Sequence, residues 1–190
     1  TMMKPGNVVD KDFYTSQEKK DLKHNMPVEF ILSYIKPLIQ FKKEFKPPKT
    51  FGERVFLLKS KTGSGKSTKL VSDLFINLCE MRHNIVCCQP RVKTAISVAT
   101  DMASYPPELE LGVNVGYKTG PLTLKATDRK SILYSTYGTL FEMLKKNNEL
   151  FIRKFAIIII DEVHTLDASE NNLLMLLNIL LKKYWKEPKC

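Results

Sequence analysis

The spacing of apolar residues changes from segment to segment along this chain, and it predicts the order of the secondary-structure elements. Short apolar runs predict buried strands at 55–58, 84–88 and 155–160. Apolar residues that recur every three or four positions predict helices at 69–78, 91–102, 136–146 and 171–184. Two further strands are expected at 112–118 and 131–135, with a basic turn region between them.

Strands that alternate with helices in this way predict an α/β fold, in which a mainly parallel sheet is flanked by helices. The β-branched run at 155–160 is typical of a strand that is buried on both faces. Because ligands of parallel sheets bind at the carboxyl ends of the strands, we look for functional residues directly after each predicted strand.

The first fifty residues have a different pattern. A polar helix is expected at 12–23, followed by an apolar helix at 27–45 that Pro37 should kink. The sequence Lys-Pro-Pro-Lys at 46–49 then predicts a stiff linker. We therefore expect a helical N-terminal extension and linker at 1–50 and the α/β domain at 51–190.

The composition adds a strong positive charge to this picture. The 190 residues carry 30 Lys and Arg against 20 Asp and Glu, a formal net charge of +10. This surplus favours a polyanionic partner, either nucleic acid or an anionic membrane surface, although a basic solvated surface is the simpler alternative. No apolar run approaches the roughly 20 residues that span a bilayer, so we expect no membrane partner.

The four cysteines are not expected to form a metal site or a disulfide framework. Cys87 and Cys88 are adjacent in a predicted strand and should point to opposite faces, so they cannot bind the same metal ion. The chain contains no C-x-x-C pair. We expect free, mostly buried thiols in a reducing compartment.

A glycine-rich segment joins the strand predicted at 55–58 to the helix predicted at 69–78. A strand, a glycine loop, Lys-Ser and a helix make a phosphate-binding loop, whose N–H groups point at an anion near the positive end of the helix dipole. Lys66 is expected to reach the β- and γ-phosphates of ATP or another NTP, and the Ser67 hydroxyl to ligate Mg²⁺. The residues predicted to surround the nucleotide are Ser60, Lys61, Thr62, Gly63, Ser64, Gly65, Lys66, Ser67 and Thr68. Ser60 replaces the first glycine of the usual pattern, at a position that shapes the start of the loop.

A pair of acids directly follows the strand predicted at 155–160. From the tip of a strand, Asp161 can face the phosphate loop and hold Mg²⁺, directly or through water. Glu162 can orient and deprotonate the attacking water. Two acids alone could be a solvated strand end, but the GSGKST segment upstream favours the catalytic interpretation.

Together the motifs resemble the DExH/DEAH-box helicases of superfamily two. The motifs of that family occur in the family's order as GSGKST (63–68), QPR (89–91), VGYK (115–118), TYGTL (136–140) and DEVH (161–164). The DEVH variant is similar to the viral DExH RNA helicases of large cytoplasmic DNA viruses, of asfarvirus or poxvirus type. The resemblance spans residues 54 to about 185, the length of a first RecA-like domain.

The resemblance implies a RecA-like P-loop NTPase that uses ATP or another NTP with Mg²⁺. It implies RNA as the partner, with DNA as the alternative, and a second RecA-like domain in the same longer chain. His164 would couple the nucleotide site to the rest of the motor. The expected location is the cytoplasm, which for a viral protein means the host cytoplasm or else the virion.

The same resemblance implies contacts with the nucleic-acid backbone that do not depend on base sequence. The residues concerned are Gln89, Pro90, Arg91, Lys93, Tyr117, Lys118, Thr136 and Gly138. The chain departs from the family at Cys88, where Thr is usual, at Val92, where a second Arg is usual, and at Tyr137, where Asp is usual. Thr136 is equally expected as a helix N-cap.

Two other functions fit the phosphate loop. A small P-loop nucleotide kinase has a similar length, but usually begins close to its phosphate loop and carries an arginine-rich lid late in the chain. Here about fifty residues precede the loop, and no arginine follows Arg153. A nucleotide-gated adaptor that binds nucleic acid without turnover is the third interpretation.

Overall fold

The computed structural model describes residues 8–9, 55, 57–58, 65–77, 84–104, 109–128, 130–163 and 167–185. The helices and linker predicted within 1–50, and the domain boundary predicted at 51, lie outside these residues. Of the extension only Val8–Val9 is described, as a short strand that pairs in parallel with Leu57–Leu58.

The elements follow the order that the sequence predicts. The strands are β1 (Val8–Val9), β2 (Leu57–Leu58), β3 (Asn84–Gln89), β4 (Val115–Lys118), β5 (Thr123–Leu124), β6 (Ile132–Thr136) and β7 (Phe155–Ile160). The helices are α1 (Lys69–Asn77), α2 (Val92–Ala103), α3 (Tyr137–Lys146), α4 (Asn148–Lys154) and α5 (Ala168–Trp185). None of the helices in the described part of the chain is long and apolar enough to cross a membrane.

Five of these strands form one sheet in the order β5-β4-β6-β3-β7. The neighbouring pairs β4 and β6, β6 and β3, and β3 and β7 are parallel. In this sheet only β5 is antiparallel to its neighbour, β4. The predicted mainly parallel sheet is therefore confirmed.

Successive side chains of β3 point to opposite faces of the sheet, and each face is covered by helices. Ile85 and Cys87 enter a core that includes residues of α1 and α2. Val86 and Cys88 enter a second core that includes residues of α3, α4 and α5. The helices thus flank the sheet on both sides, and the prediction that Cys87 and Cys88 point to opposite faces is confirmed.

The burial of β7 agrees with the prediction only in part. All six residues of β3 are buried, whereas in β7 only Phe155 is buried, Ala156 is exposed and residues 157–160 are half-buried. Among the described residues β7 pairs only with β3 and is the outer strand of the sheet. Ile157 and Ile159 pack against the first core, and Ile158 and Ile160 pack against the second. Both faces of β7 are therefore covered, as predicted, but its isoleucines are only half-buried, whereas the residues of β3 are fully buried.

Besides β1, two short elements of the domain, α4 and β5, are not predicted by the apolar pattern. Helix α4 begins after Asn147, whose side chain accepts a hydrogen bond from the N–H of Leu150 at 3.0 Å. Strand β5 follows a turn in which the N–H of Thr119 donates to the Leu122 carbonyl oxygen at 2.8 Å. Both elements depend on local hydrogen bonds, which the spacing of apolar residues does not report.

Gly116 allows β5 and the segment after it to lie against β4. A Cβ atom on Gly116 would lie 2.6 Å from the Leu124 carbonyl oxygen and 2.9 Å from the Ala126 nitrogen. Backbone atoms cannot move aside as a flexible side chain can, so any other residue would displace this edge of the sheet.

Candidate nucleotide site

The phosphate loop is described from Gly65 onward, and residues 60–64 lie outside the described part. Gly65 has a φ of 82°, in the left-handed region that favours glycine. Its carbonyl oxygen accepts the N–H groups of Thr68 at 3.3 Å and Leu70 at 3.0 Å, where α1 begins. The loop therefore leads directly into the N-terminus of α1, as the sequence predicts.

Asp161, directly after β7, is the centre of a hydrogen-bond cluster. The Ser67 hydroxyl donates to its Oδ2 atom, although the two residues are 94 positions apart. The side-chain amide of Gln89 donates to the same oxygen at 3.0 Å. The N–H of Glu162 donates to Oδ1 at 2.9 Å. Asp161 is only 9% exposed, so the fold brings together the serine of the phosphate loop and the first acid of DEVH in a largely buried contact.

Two buried tyrosines hold the main chain of these two residues. The hydroxyl of Tyr134, in β6, donates to the Ser67 carbonyl oxygen at 2.7 Å. The hydroxyl of Tyr137, the first residue of α3, donates to the Asp161 carbonyl oxygen. Burial raises the pKa of Tyr134 well above its ordinary value, with smaller contributions from Cys87 and Asp161, so this phenol stays protonated. Neither tyrosine has a role that the sequence motifs predict.

Cys87 and Cys88, which precede Gln89 in β3, are buried free thiols. Burial raises the pKa of both thiols, and the charge of Asp161 raises that of Cys87 further. A side-chain hydrogen bond from Gln89 opposes the shift at Cys87. Because the thiolate is the reactive form, these two cysteines are inert core residues.

Ser67 and Asp161 are the residues that could hold a magnesium ion. Mg²⁺ prefers oxygen ligands and usually combines one or two carboxylates with phosphate oxygens and water. A hydroxyl and a carboxylate in contact supply ligands of this kind. In the described part of the chain no group of three or more His, Cys, Asp or Glu side chains could form a metal cage. The oxygen atoms at this site therefore fit Mg²⁺ bound together with a nucleotide.

The predicted catalytic residues are only partly described. Lys66 is half-buried beside Ser67, and Glu162 is exposed beside Asp161. Glu162 has a φ of 54°, and no other non-glycine residue in the described ranges has a positive φ. Such a conformation is uncommon for a residue with a side chain, and it occurs here at the predicted catalytic acid. His164 lies outside the described residues.

The residues predicted to contact nucleic acid follow the ends of neighbouring strands. In the parallel register Gln89 pairs with Thr136, and Cys88 pairs with Ile160. The carboxyl ends of β6, β3 and β7 therefore lie level, next to Asp161. The exposed members of the predicted set are Arg91, Lys93, Lys118 and Gly138, and the half-buried members are Pro90, Tyr117 and Thr136.

Gln89 and Thr136 differ from what the motifs suggest. Gln89 is 1% exposed, and its amide contacts Asp161 and Cys87, so its burial does not fit the prediction that it contacts nucleic acid. Thr136 occupies the predicted N-cap position of α3 without a side-chain capping bond. Its hydroxyl instead lies 2.8 Å from that of Thr139.

Comparison with known proteins tests the family resemblance directly. A profile of the DEAD/DEAH box helicase family matches residues 44–185. The chain belongs to this family. The predicted membership of the DExH/DEAH-box helicases is confirmed.

The relatives are viral and cellular helicases. The chain is 32% identical to a protein of African swine fever virus named as an RNA helicase (B962L), over 96% of this chain and 19% of that protein. It is 31% identical to the ATP-dependent RNA helicase DHX29 of Mus musculus, over 68% of this chain and 10% of that protein. It is 29% identical to the DExH-box ATP-dependent RNA helicase DExH1 of Arabidopsis thaliana, over 90% of this chain and 17% of that protein. The chain thus spans a fifth or less of the length of these relatives.

Proposed function

We propose that this chain is the first motor domain of a longer ATP-dependent RNA helicase that acts in the cytoplasm. The contact between the Ser67 hydroxyl and the Asp161 carboxylate carries this proposal. It joins the phosphate loop to the DEVH acids, the two elements that an NTPase needs at one place. The names of the relatives support RNA rather than DNA as the substrate.

Each residue of the site has a separate task in this proposal. Lys66 binds the β- and γ-phosphates at the N-terminus of α1, where the helix dipole also favours negative charge. Ser67 and Asp161 would hold Mg²⁺, and the bound ion would supply positive charge beside the phosphates. Glu162 accepts a proton from the attacking water, and its exposed position beside Asp161 leaves it accessible to that water.

Exposed basic residues directly after β3 and at the end of β4 supply the contacts with nucleic acid. Arg91, Lys93 and Lys118 are exposed at the same edge of the sheet as Asp161. Long cationic side chains at this edge can bind phosphates of an RNA strand without reading its bases. We leave Gln89 out of the proposed surface, because its side chain is buried and its amide donates to Asp161.

A second RecA-like domain would complete the nucleotide cleft. Such a domain supplies arginines that stabilise the charge on the γ-phosphate, a contribution worth about 10³ to 10⁵ in rate. We therefore expect this chain alone to bind Mg·ATP weakly and to hydrolyse it slowly. RNA-stimulated turnover by the isolated chain at the rate of a complete helicase would contradict this expectation.

Phosphate release by the full-length protein, measured with and without single-stranded RNA, tests the proposed function. A helicase motor hydrolyses ATP and is stimulated by RNA, and the Lys66→Ala variant should do neither. A nucleotide kinase would instead transfer phosphate to a nucleotide and ignore RNA. A protein that binds ATP and RNA without releasing phosphate would be an adaptor.

A further inference from the structure

Two hydrogen bonds connect Asp161 to the segments proposed to bind nucleic acid. Gln89, the last residue of β3, donates its side-chain amide to Asp161 Oδ2 at 3.0 Å. Tyr137, the first residue of α3, donates its hydroxyl to the Asp161 carbonyl oxygen. Both side chains are 1% exposed, so neither can touch an RNA strand itself.

The immediate neighbours of these two residues lie at the surface. Gln89 is followed by Pro90, which is half-buried, and then by Arg91, which is exposed. Tyr137 is followed by Gly138, which is exposed. A phosphate that binds Arg91 or the backbone at Gly138 would therefore act one or two residues away from a buried hydrogen bond to Asp161.

The two bonds act on different parts of the metal-binding acid. The Gln89 amide shares Oδ2 with the Ser67 hydroxyl, so it restricts the orientation of the carboxylate that faces the phosphate loop. The Tyr137 hydroxyl holds the carbonyl group of the peptide bond between Asp161 and Glu162. That peptide precedes the residue with a φ of 54° and so helps to place Glu162.

We propose that Gln89 and Tyr137 are positioning residues that couple RNA binding to the metal-binding acid. Movement of the β3 end or of the start of α3 when RNA binds changes the orientation of Asp161 and Glu162. Conversely, Mg·ATP bound at Asp161 changes the affinity of the same two segments for RNA, because such coupling is reciprocal. This inference rests on the proposed function.

The test compares three substitutions in the full-length protein. Tyr137→Phe removes one hydroxyl from a buried ring, and Gln89→Met removes the amide while keeping the length of the side chain. Tyr134→Phe is the matched control, because Tyr134 is equally buried and donates to Ser67 rather than to Asp161. Thermal unfolding of each variant establishes that it is folded.

The first readout is the ratio of ATP turnover with saturating oligo(U) RNA to turnover without RNA. We expect this ratio to fall about fivefold or more in Tyr137→Phe and in Gln89→Met, within the usual range of coupling between sites. Tyr134→Phe should change the KM for ATP and leave the ratio at the wild-type value.

The second readout is the affinity for oligo(U), measured with and without a non-hydrolysable ATP analogue and Mg²⁺. The wild-type affinity should depend on the analogue, and this dependence should be lost in Tyr137→Phe and Gln89→Met. A purely structural role would not produce this selective loss. Wild-type ratios in both variants, or equal losses in Tyr134→Phe, would overturn the proposal. A wild-type protein that RNA does not stimulate would overturn both the proposed function and this inference.

Discussion

Asp161 and Arg91 both follow strand ends at the same edge of the sheet, yet their surroundings differ. Asp161 is largely buried and receives hydrogen bonds from Ser67, Gln89 and Glu162. Arg91 is exposed, and among the described residues no ion pair involves it or its neighbour Lys93.

The difference follows from what each region is proposed to do. Phosphoryl transfer requires atoms held in a fixed geometry, and buried hydrogen bonds provide that geometry. Binding to the RNA backbone, independent of base sequence, requires positive charge near the phosphates. Exposed basic side chains provide this charge without being held in one fixed geometry. Changes in the first region should therefore be large and specific, and changes in the second should be small and sensitive to salt.

The largest expected effect concerns the proposed catalytic acid. In the full-length protein, Glu162→Gln should lower the turnover number for ATP at least about 100-fold, because general-base catalysis contributes that much or more. Nucleotide affinity should be nearly unchanged, since only the hydrolytic step needs the carboxylate. Steady-state kinetics together with calorimetry separates the two effects. Near-normal turnover in Glu162→Gln would show that another residue is the general base.

A moderate loss of stability is expected from a substitution at Gly116, in the strand β4 that ends at the exposed Lys118. Gly116→Ala places a methyl group against backbone atoms of Leu124 and Ala126, and should destabilise the protein by about 1–3 kcal/mol. Gly120→Ala is the control, because a Cβ atom there meets nothing within 4 Å. Urea unfolding measures both variants. Equal stabilities would contradict the close approach of β4 and the segment after β5.

A smaller effect is expected at the exposed surface. Arg91→Ala should weaken binding of single-stranded RNA equally for all base sequences and should lower the salt slope by about 0.7, the contribution of one phosphate contact. Arg153→Ala is the control, because Arg153 is exposed at the end of α4, directly before β7 and hence at the opposite edge of the sheet. Fluorescence anisotropy at several salt concentrations measures both. An unchanged salt dependence in Arg91→Ala would show that Arg91 does not contact an RNA phosphate.

The smallest effect concerns the buried thiols of β3. The pKa of Cys87 is raised in the folded protein, mainly by burial, whereas the unfolded thiol ionises near pH 8.5. Above that pH only the unfolded state loses the proton, so the stability present at neutral pH declines as pH rises. Cys87→Ala should reduce this decline by under about 1 kcal/mol between pH 8 and pH 9. Denaturant unfolding at each pH measures the free energy of unfolding of the wild type and of Cys87→Ala. An equal decline with pH in the two proteins would contradict the account.

The long elements, and the position of the two motifs proposed to bind the nucleotide, were predictable from the sequence. The periods of helices and strands reflect the burial of whole faces, so each end of α2, α3 and β6 lies within one residue of the predicted end. The GSGKST and DEVH motifs are recognised by residue types at fixed spacing, and the hydrogen bond between Ser67 and Asp161 shows that the fold brings the two motifs together.

The supporting residues could not be predicted in the same way. Gln89 reaches Asp161 across 72 positions, and only the strand register determines that their side chains meet. In the apolar pattern Tyr134 and Tyr137 look like ordinary buried aromatic residues. The pattern does not show which atoms their hydroxyl groups contact. The outer position of β7 likewise depends on strand order, which its own run of isoleucines does not encode.

The magnesium dependence of ATP binding tests the central claim most directly. The affinity of the full-length protein for ATP would be measured by calorimetry with Mg²⁺ and with EDTA, for the wild type and for Asp161→Asn. If Ser67 and Asp161 form the metal site, Mg²⁺ should strengthen ATP binding to the wild type, and most of this gain should be lost in the variant. An equal gain in Asp161→Asn would contradict the account, because the metal would then be held elsewhere.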